Sequence, residues 1–284
     1  MIIDFHTHIF PPEVAQQRAR FLREDATFRE LYDHPKATLA TAADLLESMA
    51  RSKVDVSVAL GFGWASVETC RIHNNELIDA AKASHGRIVP FCTLPLGAGI
   101  DAVEREFRRC TERGVRGFGE LRPDNHGFDI AGAAGKRLGR LATESGAILL
   151  FHASEPVGHP YAGKQGMGIS ALYEFIVEHP EVRVVAAHWG GGLPFYARMP
   201  EVRLALHNTA FDTAATSLLY SPEIYADVAH LTGAGSILFG SDYPLLSQKR
   251  SRERVEAEEL PRHDLEAILG GNAARLLNIA TPAV

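Results

Sequence analysis

Cysteine is scarce in this 284-residue chain: Cys70, Cys92 and Cys110 form an odd set with no Cys-x-x-Cys spacing. That excludes a disulfide-stapled scaffold or a thiolate zinc site and fits a reducing compartment. Positive charge is also short. Lys plus Arg total 29 against 35 for Asp plus Glu, a formal charge of −6, so no basic field exists to hold a phosphate backbone. Nucleic acid is therefore not an expected partner. No apolar run approaches the roughly 18 residues of a membrane span, and Met1-Ile2-Ile3-Asp4 puts a carboxylate where a signal peptide would carry its basic stretch. These absences predict a cytoplasmic protein with no membrane association. A phosphate loop of the full Gly-x-x-x-x-Gly-Lys-Ser/Thr form and a Gly-x-Ser-x-Gly elbow are missing too, which removes sequence support for a nucleotide hydrolase or a serine hydrolase.

What is present is an ordinary globular composition, 46% hydrophobic and 23% charged, with a strong internal rhythm. Short apolar runs rich in β-branched residues alternate with longer amphipathic stretches, the pattern of a parallel sheet with crossover helices. Eight runs are predicted as strands: 2–5, 54–60, 88–93, 115–118, 147–151, 182–187, 202–207 and 236–239. Helical spacing follows several of them, around Ala42–Met49, Asn75–Ala83, Ala102–Arg109 and Gly135–Glu144. Gly86, Gly114, Gly146 and Gly235 precede strands where helix C-caps would hand over. No linker or low-complexity segment divides the chain. The expected fold is α/β, a single (β/α)8 TIM barrel forming one domain over residues 1–284. Residues 9–39 and 153–168 are too long for tight connections and leave C-terminal strand ends, where barrel enzymes build substrate pockets.

The chemistry collects at those ends. In Asp4-Phe5-His6-Thr7-His8, alternation along a strand puts residues 4, 6 and 8 on one face, so two imidazoles converge and Asp4 is placed to orient one of the rings. A metal site and a hydrogen-bonded polar strand end are both compatible with that segment alone. His152, His188 and Asp242 then recur at the ends of later runs, and a buried set of imidazoles and a carboxylate without a cation would carry several kcal/mol of desolvation. A divalent metal is the expected occupant. Glu120 closes the fourth run and is either a further ligand, able to bridge two ions, or a carboxylate paired with Arg122. Zn²⁺ is the first expectation, with Mn²⁺, Fe²⁺ or Co²⁺ compatible and one or two ions per chain.

Asp4-Phe5-His6-Thr7-His8, Phe151-His152, His179-Pro180 with Ala187-His188-Trp189-Gly190-Gly191, Gly240-Ser241-Asp242-Tyr243-Pro244, and Gly271-Asn272-Ala273-Ala274-Arg275-Leu276 span nearly the whole chain. Together they resemble the amidohydrolase superfamily, specifically its amidohydrolase-related branch of metal-dependent hydrolases and non-oxidative decarboxylases. The resemblance implies that His6, His8, His152 and Asp242 bind the metal and that His188 contacts its water or the substrate. Glu120 departs from the decarboxylase pattern and is more like the two-metal hydrolases. The expected reaction is accordingly hydrolysis of a small lactone, ester or amide, with Asp242 and His188 catalytic; the alternative is non-oxidative decarboxylation of an aromatic or muconate-like acid.

Around this set, Arg122 and Lys164 are candidate clamps for a substrate carboxylate, with solvated loop charge as the plainer alternative. Trp189 either stacks on an aromatic substrate or packs against a neighbouring strand. His207 and Asp212 are expected near the end of the seventh strand, as pocket residues or as ordinary hydrogen-bonded positions. The basic run Lys249–Arg254 reads as a solvated helix start. The expected partner is a small-molecule substrate, and a homo-oligomer pairing through helices or inserted loops is compatible with the sequence.

Overall fold

A computed structural model of the protein describes residues 1–164 and 166–280. The strands are β1 (Ile3–His8), β2 (Val56–Leu60), β3 (Ile88–Cys92), β4 (Gly117–Leu121), β5 (Ile148–Phe151), β6 (Arg183–Ala186), β7 (Thr209–Asp212) and β8 (Ile237–Leu238). All neighbouring pairs are parallel, in the order β1 through β8. The helices are α1 (Pro12–Gln16), α2 (Arg18–Glu24), α3 (Ala26–Tyr32), α4 (Ala42–Ser52), α5 (Val67–Ala83), α6 (Ile100–Glu112), α7 (Ala133–Ser145), α8 (Ile169–Glu178), α9 (Pro200–Ala205), α10 (Thr216–Leu219), α11 (Ile224–Thr232), α12 (Gln248–Glu256), α13 (Arg262–Glu266) and α14 (Asn272–Leu277). The expected (β/α)8 barrel is what forms. Among the described residues no helix is long and apolar enough to cross a membrane.

Alternation along the strands builds two apolar layers. Phe5, Phe91, Leu150 and Val185 pack together from four strands, with the Phe5 and Phe91 rings edge to face at 5.5 Å. The intervening Leu149 and Phe151 belong to the layer beneath the helices, where Phe151 meets Phe175 and Phe107 stacks on Phe118 at 4.2 Å. The sheet closes through β1: Phe5 N donates to Phe239 O at 2.7 Å, and His8 N to Tyr243 O at 2.6 Å.

Three sequence-based expectations are corrected. The run 202–207 is not a strand; Val202–Ala205 lies in α9 and Leu206–Asn208 in a 3-10 turn. Pro200 starts the helix, and the buried residues fall at Val202 and Leu206 while Leu204 is 75% exposed, a spacing of four rather than two. The true seventh strand moves Asp212 to a strand tip and leaves His207 at the opposite end of the barrel. Asp4 does not orient an imidazole. Its carboxylate accepts from Ser241 N (2.9 Å), Ser241 Oγ (2.6 Å), Gln248 Nε2 (2.8 Å) and the His6 amide (3.2 Å), because the register shift in β1 after Asp4 turns it into a buried polar network. Burial holds the Asp4 carboxyl up at about 6 despite the bonds from Ser241 and Gln248. Finally, Gly233 rather than Gly235 takes the positive φ after α11.

The long segment after β1 folds into α1–α3 and lies over the barrel mouth on an aromatic cluster of Phe10, Phe21, Phe28, Phe62 and Trp64. Asp25 caps α3 through Phe28 N and also accepts from Ala65 N, each at 2.8 Å, which ties this segment to the loop after β2. Beneath the cluster, the buried His73 accepts from Trp64 Nε1 at 2.9 Å and donates to Ile9 O at 2.7 Å. Burial keeps this imidazole neutral, down at about 4. Because the folded value lies below that of the unfolded chain, the neutral ring stabilises the fold above about pH 6.5 and that contribution declines as pH falls toward 4. Chemical denaturation at pH 7 and pH 5 is expected to show the stability gap between wild type and His73→Asn shrinking by about 2 kcal/mol at the lower pH. A gap that stays constant would mean His73 does not titrate on unfolding.

Candidate active site

Strand tips at the C-terminal face bring His6 and His8 (β1), Glu120 (β4), His152 (after β5), His188 (after β6) and Asp242 (after β8) to one place. His6 Nε2 and His8 Nε2 are 3.1 Å apart, and Asp242 Oδ1 lies 3.7 and 3.6 Å from them. Glu120 sits at the centre. Its Oε1 is 2.9 Å from His152 Nδ1, 3.2 Å from His188 Nε2 and 3.9 Å from His6 Nε2, and its Oε2 is 3.9 Å from His8 Nε2. Two overlapping groups, His6/His8/Glu120 and Glu120/His152/His188, each have ligand atoms within 4.8 Å of one another.

The backbone at these tips is held rather than relaxed. His188 (φ 55) and Asp242 (φ 64) occupy the left-handed region, a conformation costing about 1–3 kcal/mol for residues with a Cβ. His188 N donates to Asp212 Oδ1 at 3.0 Å and Asp242 N donates to His6 O at 2.9 Å, so the neighbouring strands enforce both conformations.

Outer partners fix which imidazole nitrogens face inward. Asp212, fully buried at the tip of β7, accepts from His6 Nδ1 at 2.8 Å, and Gly163 O accepts from His152 Nε2 at 2.8 Å. In the neutral tautomers these bonds select, the lone pairs of His6 Nε2 and His152 Nδ1 point at carboxylate oxygens. His8 Nδ1 is buried without a protein partner among the described residues. Converging lone pairs and carboxylates repel one another, and a cation among them reverses the sign; this donor set fits a divalent metal ion. The protonation balance expresses the same field. Burial opposes charge on His6 and His188, but Asp212 outweighs it at His6, pushing it up to about 10, and the Glu120 hydrogen bond lifts His188 to about 9. His8 falls to about 4 through burial and the neighbouring His6. Glu120 resists its own burial because His152 and His188 hold it well below the carboxylate range.

Above this cluster opens a cavity of about 430 Å³. His8, Glu120, Arg122, His152, His188 and Asp242 line its polar end, and Leu31, Phe62, Leu218, Leu219 and Leu245 stand among its apolar walls. Arg122 is buried at that polar end and donates to Gly163 O at 3.1 Å. Tyr32, from α3, reaches the cavity, and burial with the nearby Asp242 and Glu120 pushes its hydroxyl far up, so it stays protonated.

Two sequence candidates lie elsewhere. Lys164 Nζ donates to Val157 O and His159 O of its own loop and does not line the cavity. Trp189 is fully buried, donating to Thr216 Oγ1 at 2.9 Å and packing edge-on against Tyr225. Asp212 is the residue that pattern reading leaves unresolved: its pairing with His6 spans 206 positions, and the misplaced seventh strand hides that it occupies a tip.

The chain matches the family described as Amidohydrolase over residues 3–279. No curated protein matches it by sequence. Similar solved structures include 2,6-dihydroxybenzoate decarboxylase from Rhizobium, 18% identical, covering 98% of each chain with a TM-score of 0.76. Another is 5-carboxyvanillate decarboxylase from Sphingomonas paucimobilis, at 16% identity, 99% of each chain and TM-score 0.76. A third is 5-carboxyvanillate decarboxylase from Novosphingobium aromaticivorans complexed with manganese and 4-hydroxy-3-methoxy-5-nitrobenzoic acid, at 14% identity, 98% of this chain, 96% of that one and TM-score 0.80. The expectation of a hydrolase is corrected by these similarities, which fall on decarboxylases. Its physical basis was the carboxylate on β4, and Glu120 does not discriminate, since its Oε1 lies 2.9 Å from His152 Nδ1 and 3.2 Å from His188 Nε2, a placement that does not by itself call for a second ion. Fold, tip residues and family match coincide over the same residues, and the chain belongs to the amidohydrolase family.

Proposed function

We propose that the protein is a metal-dependent, non-oxidative decarboxylase of a small aromatic acid bearing an electron-donating hydroxyl. The observation that carries this reading is the cavity itself: a metal-competent polar end beneath apolar walls, in a volume suited to one substituted ring. The three similar solved structures, all decarboxylases named for such acids, support it.

In this reading His6, His8, Glu120, His152 and Asp242 hold one divalent ion, which when bound supplies positive charge that fixes and polarises the substrate's oxygens. We assign Mn²⁺ ahead of Zn²⁺, because two carboxylates in the donor set suit a harder ion and manganese accompanies a similar structure. Arg122 orients the anionic substrate from the polar end. His188, at the polar end of the cavity, donates to a substrate oxygen. Asp242 delivers a proton to the ring carbon that carries the carboxylate. The carbon–carbon bond then breaks, its electrons restore the aromatic ring, and CO₂ leaves; water returns a proton to Asp242. Walls such as Phe62, Leu218 and Leu219 solvate a carboxylate poorly and neutral CO₂ well, which favours the forward step.

Incubating the Mn²⁺-loaded protein with a panel of mono- and dihydroxybenzoates is expected to release CO₂ from at least one member and form the corresponding phenol. Folded, metal-loaded protein that releases none from any member would overturn the assignment. Asp242→Asn should lower kcat by at least about 100-fold, the scale of a lost proton donor, with KM changing far less. Asp212→Asn should weaken Mn²⁺ binding by roughly 10- to 100-fold in a calorimetric titration, because His6 loses the acceptor that fixes its tautomer. Unchanged affinity in that variant would reduce Asp212 to a packing residue.

A further inference from the structure

At the opposite end of the barrel, away from the strand tips that carry the histidines, lies a second cavity of about 560 Å³. It is bounded by the N-terminal ends of β6, β7 and β8, by the 206–208 turn and by α14. This end of a (β/α)8 barrel ordinarily serves stability, so a charged cavity there calls for its own account.

Its lining contains Arg183, Arg203, Arg275 and His207 and not one Asp or Glu. That composition runs against the chain as a whole, which carries a net charge of −6. Among the described residues none of the three arginines makes an ion pair with a carboxylate, in contrast to Arg20, Arg51, Arg108, Arg109, Arg137 and Arg262 elsewhere on the surface. Neutral acceptors hold two of them in place. Arg183 donates to Gly146 O and Leu276 O, and Arg275 donates to Gly235 O at 3.3 Å and Asn272 Oδ1 at 2.9 Å. Those bonds fix the guanidinium groups without cancelling their charge, and a guanidinium's five donors leave others for a ligand. A separate observation points the same way. Thr209, 5% exposed and part of the lining, has a buried Oγ1 with no hydrogen-bond partner among the described residues, and an unpaired buried hydroxyl is costly unless a ligand or water meets it. Leu206, Leu238 and Val184 supply an apolar side to the same cavity.

We propose that this cavity binds a small phosphorylated compound, its phosphoryl oxygens on Arg203, Arg275 and Thr209 Oγ1 and its organic part against the apolar side. Guanidinium forks match phosphate oxygens in pairs, which a scattered basic surface does not achieve.

Calorimetry on the metal-loaded protein, titrated with inorganic pyrophosphate at constant ionic strength, is expected to give saturable binding of one pyrophosphate at this cavity. The Arg203→Ala/Arg275→Ala double variant should weaken it by about 10-fold or more, and Thr209→Val by a smaller factor, with CO₂-releasing activity and thermal midpoint unchanged. A control pair of exposed arginines distant in sequence, Arg71→Ala/Arg105→Ala, should leave binding intact. Equal loss in the control pair would assign the effect to bulk charge and overturn the proposal. Binding that survives Arg203→Ala/Arg275→Ala but disappears in His6→Ala would place the anion at the metal centre, with the same consequence. Citrate binding more tightly than pyrophosphate would replace the phosphoryl assignment with a polycarboxylate one, and absence of saturable binding would remove the site altogether.

Discussion

Closure of the sheet by β1 is the constraint on which the rest depends. His6 and His8 sit on the strand that must pair with β2 on one side and with the 239–243 segment on the other. The same backbone bonds that close the barrel, Phe5 N to Phe239 O, His8 N to Tyr243 O and Asp242 N to His6 O, therefore bring the first two imidazoles against the last carboxylate. A one-residue slip would turn both histidines away from the mouth, because side chains alternate along a strand. Ring closure and site assembly are one event.

A polar scaffold makes that closure tolerable. Asp4 gathers the amides of His6 and Ser241, the Ser241 hydroxyl and Gln248, while Gln248 continues to Ser57 and Ser48 on β2 and α4. Every member is buried and bonded, which is the condition under which a buried carboxyl is compatible with a stable fold. Asp212 does the corresponding task on the far side of the ring, accepting from the His6 imidazole and from the amides of His188 and Ala214. His6 thus owes its orientation to a carboxylate that does not line the cavity, and His152 to the Gly163 carbonyl.

Much of this was legible in the linear sequence, and the exceptions share a cause. Strand residues such as Ile148–Phe151 and Val184–Ala186 are apolar on both faces, so their identity needs no knowledge of neighbours. Val202–Leu206 fails as a strand because its apolar spacing also satisfies a short helix, and Pro200 decides between them. Asp4 is misread for a related reason: alternation predicts its face, but the irregular register after it hands its oxygens to a loop more than 230 residues away. Trp189 follows a histidine at a tip in sequence, yet the left-handed turn from His188 onward directs its ring into the helix layer.

By itself the sequence determined seven of the eight strands with their intervening helical stretches, the strand tips that carry His6, His8, Glu120, His152, His188 and Asp242, and the lack of a full phosphate-loop or serine-elbow motif. These are properties of local period and residue type, which the chain encodes within a few positions. Only the tertiary structure decided that Asp212 pins His6, that Glu120 lies among four imidazoles, that α1–α3 cover an apolar cavity and that three arginines share the barrel's other end. Each of those depends on contacts between residues far apart along the chain, whose distances are set by how a closed sheet brings its strands around a common axis rather than by any pattern within one strand.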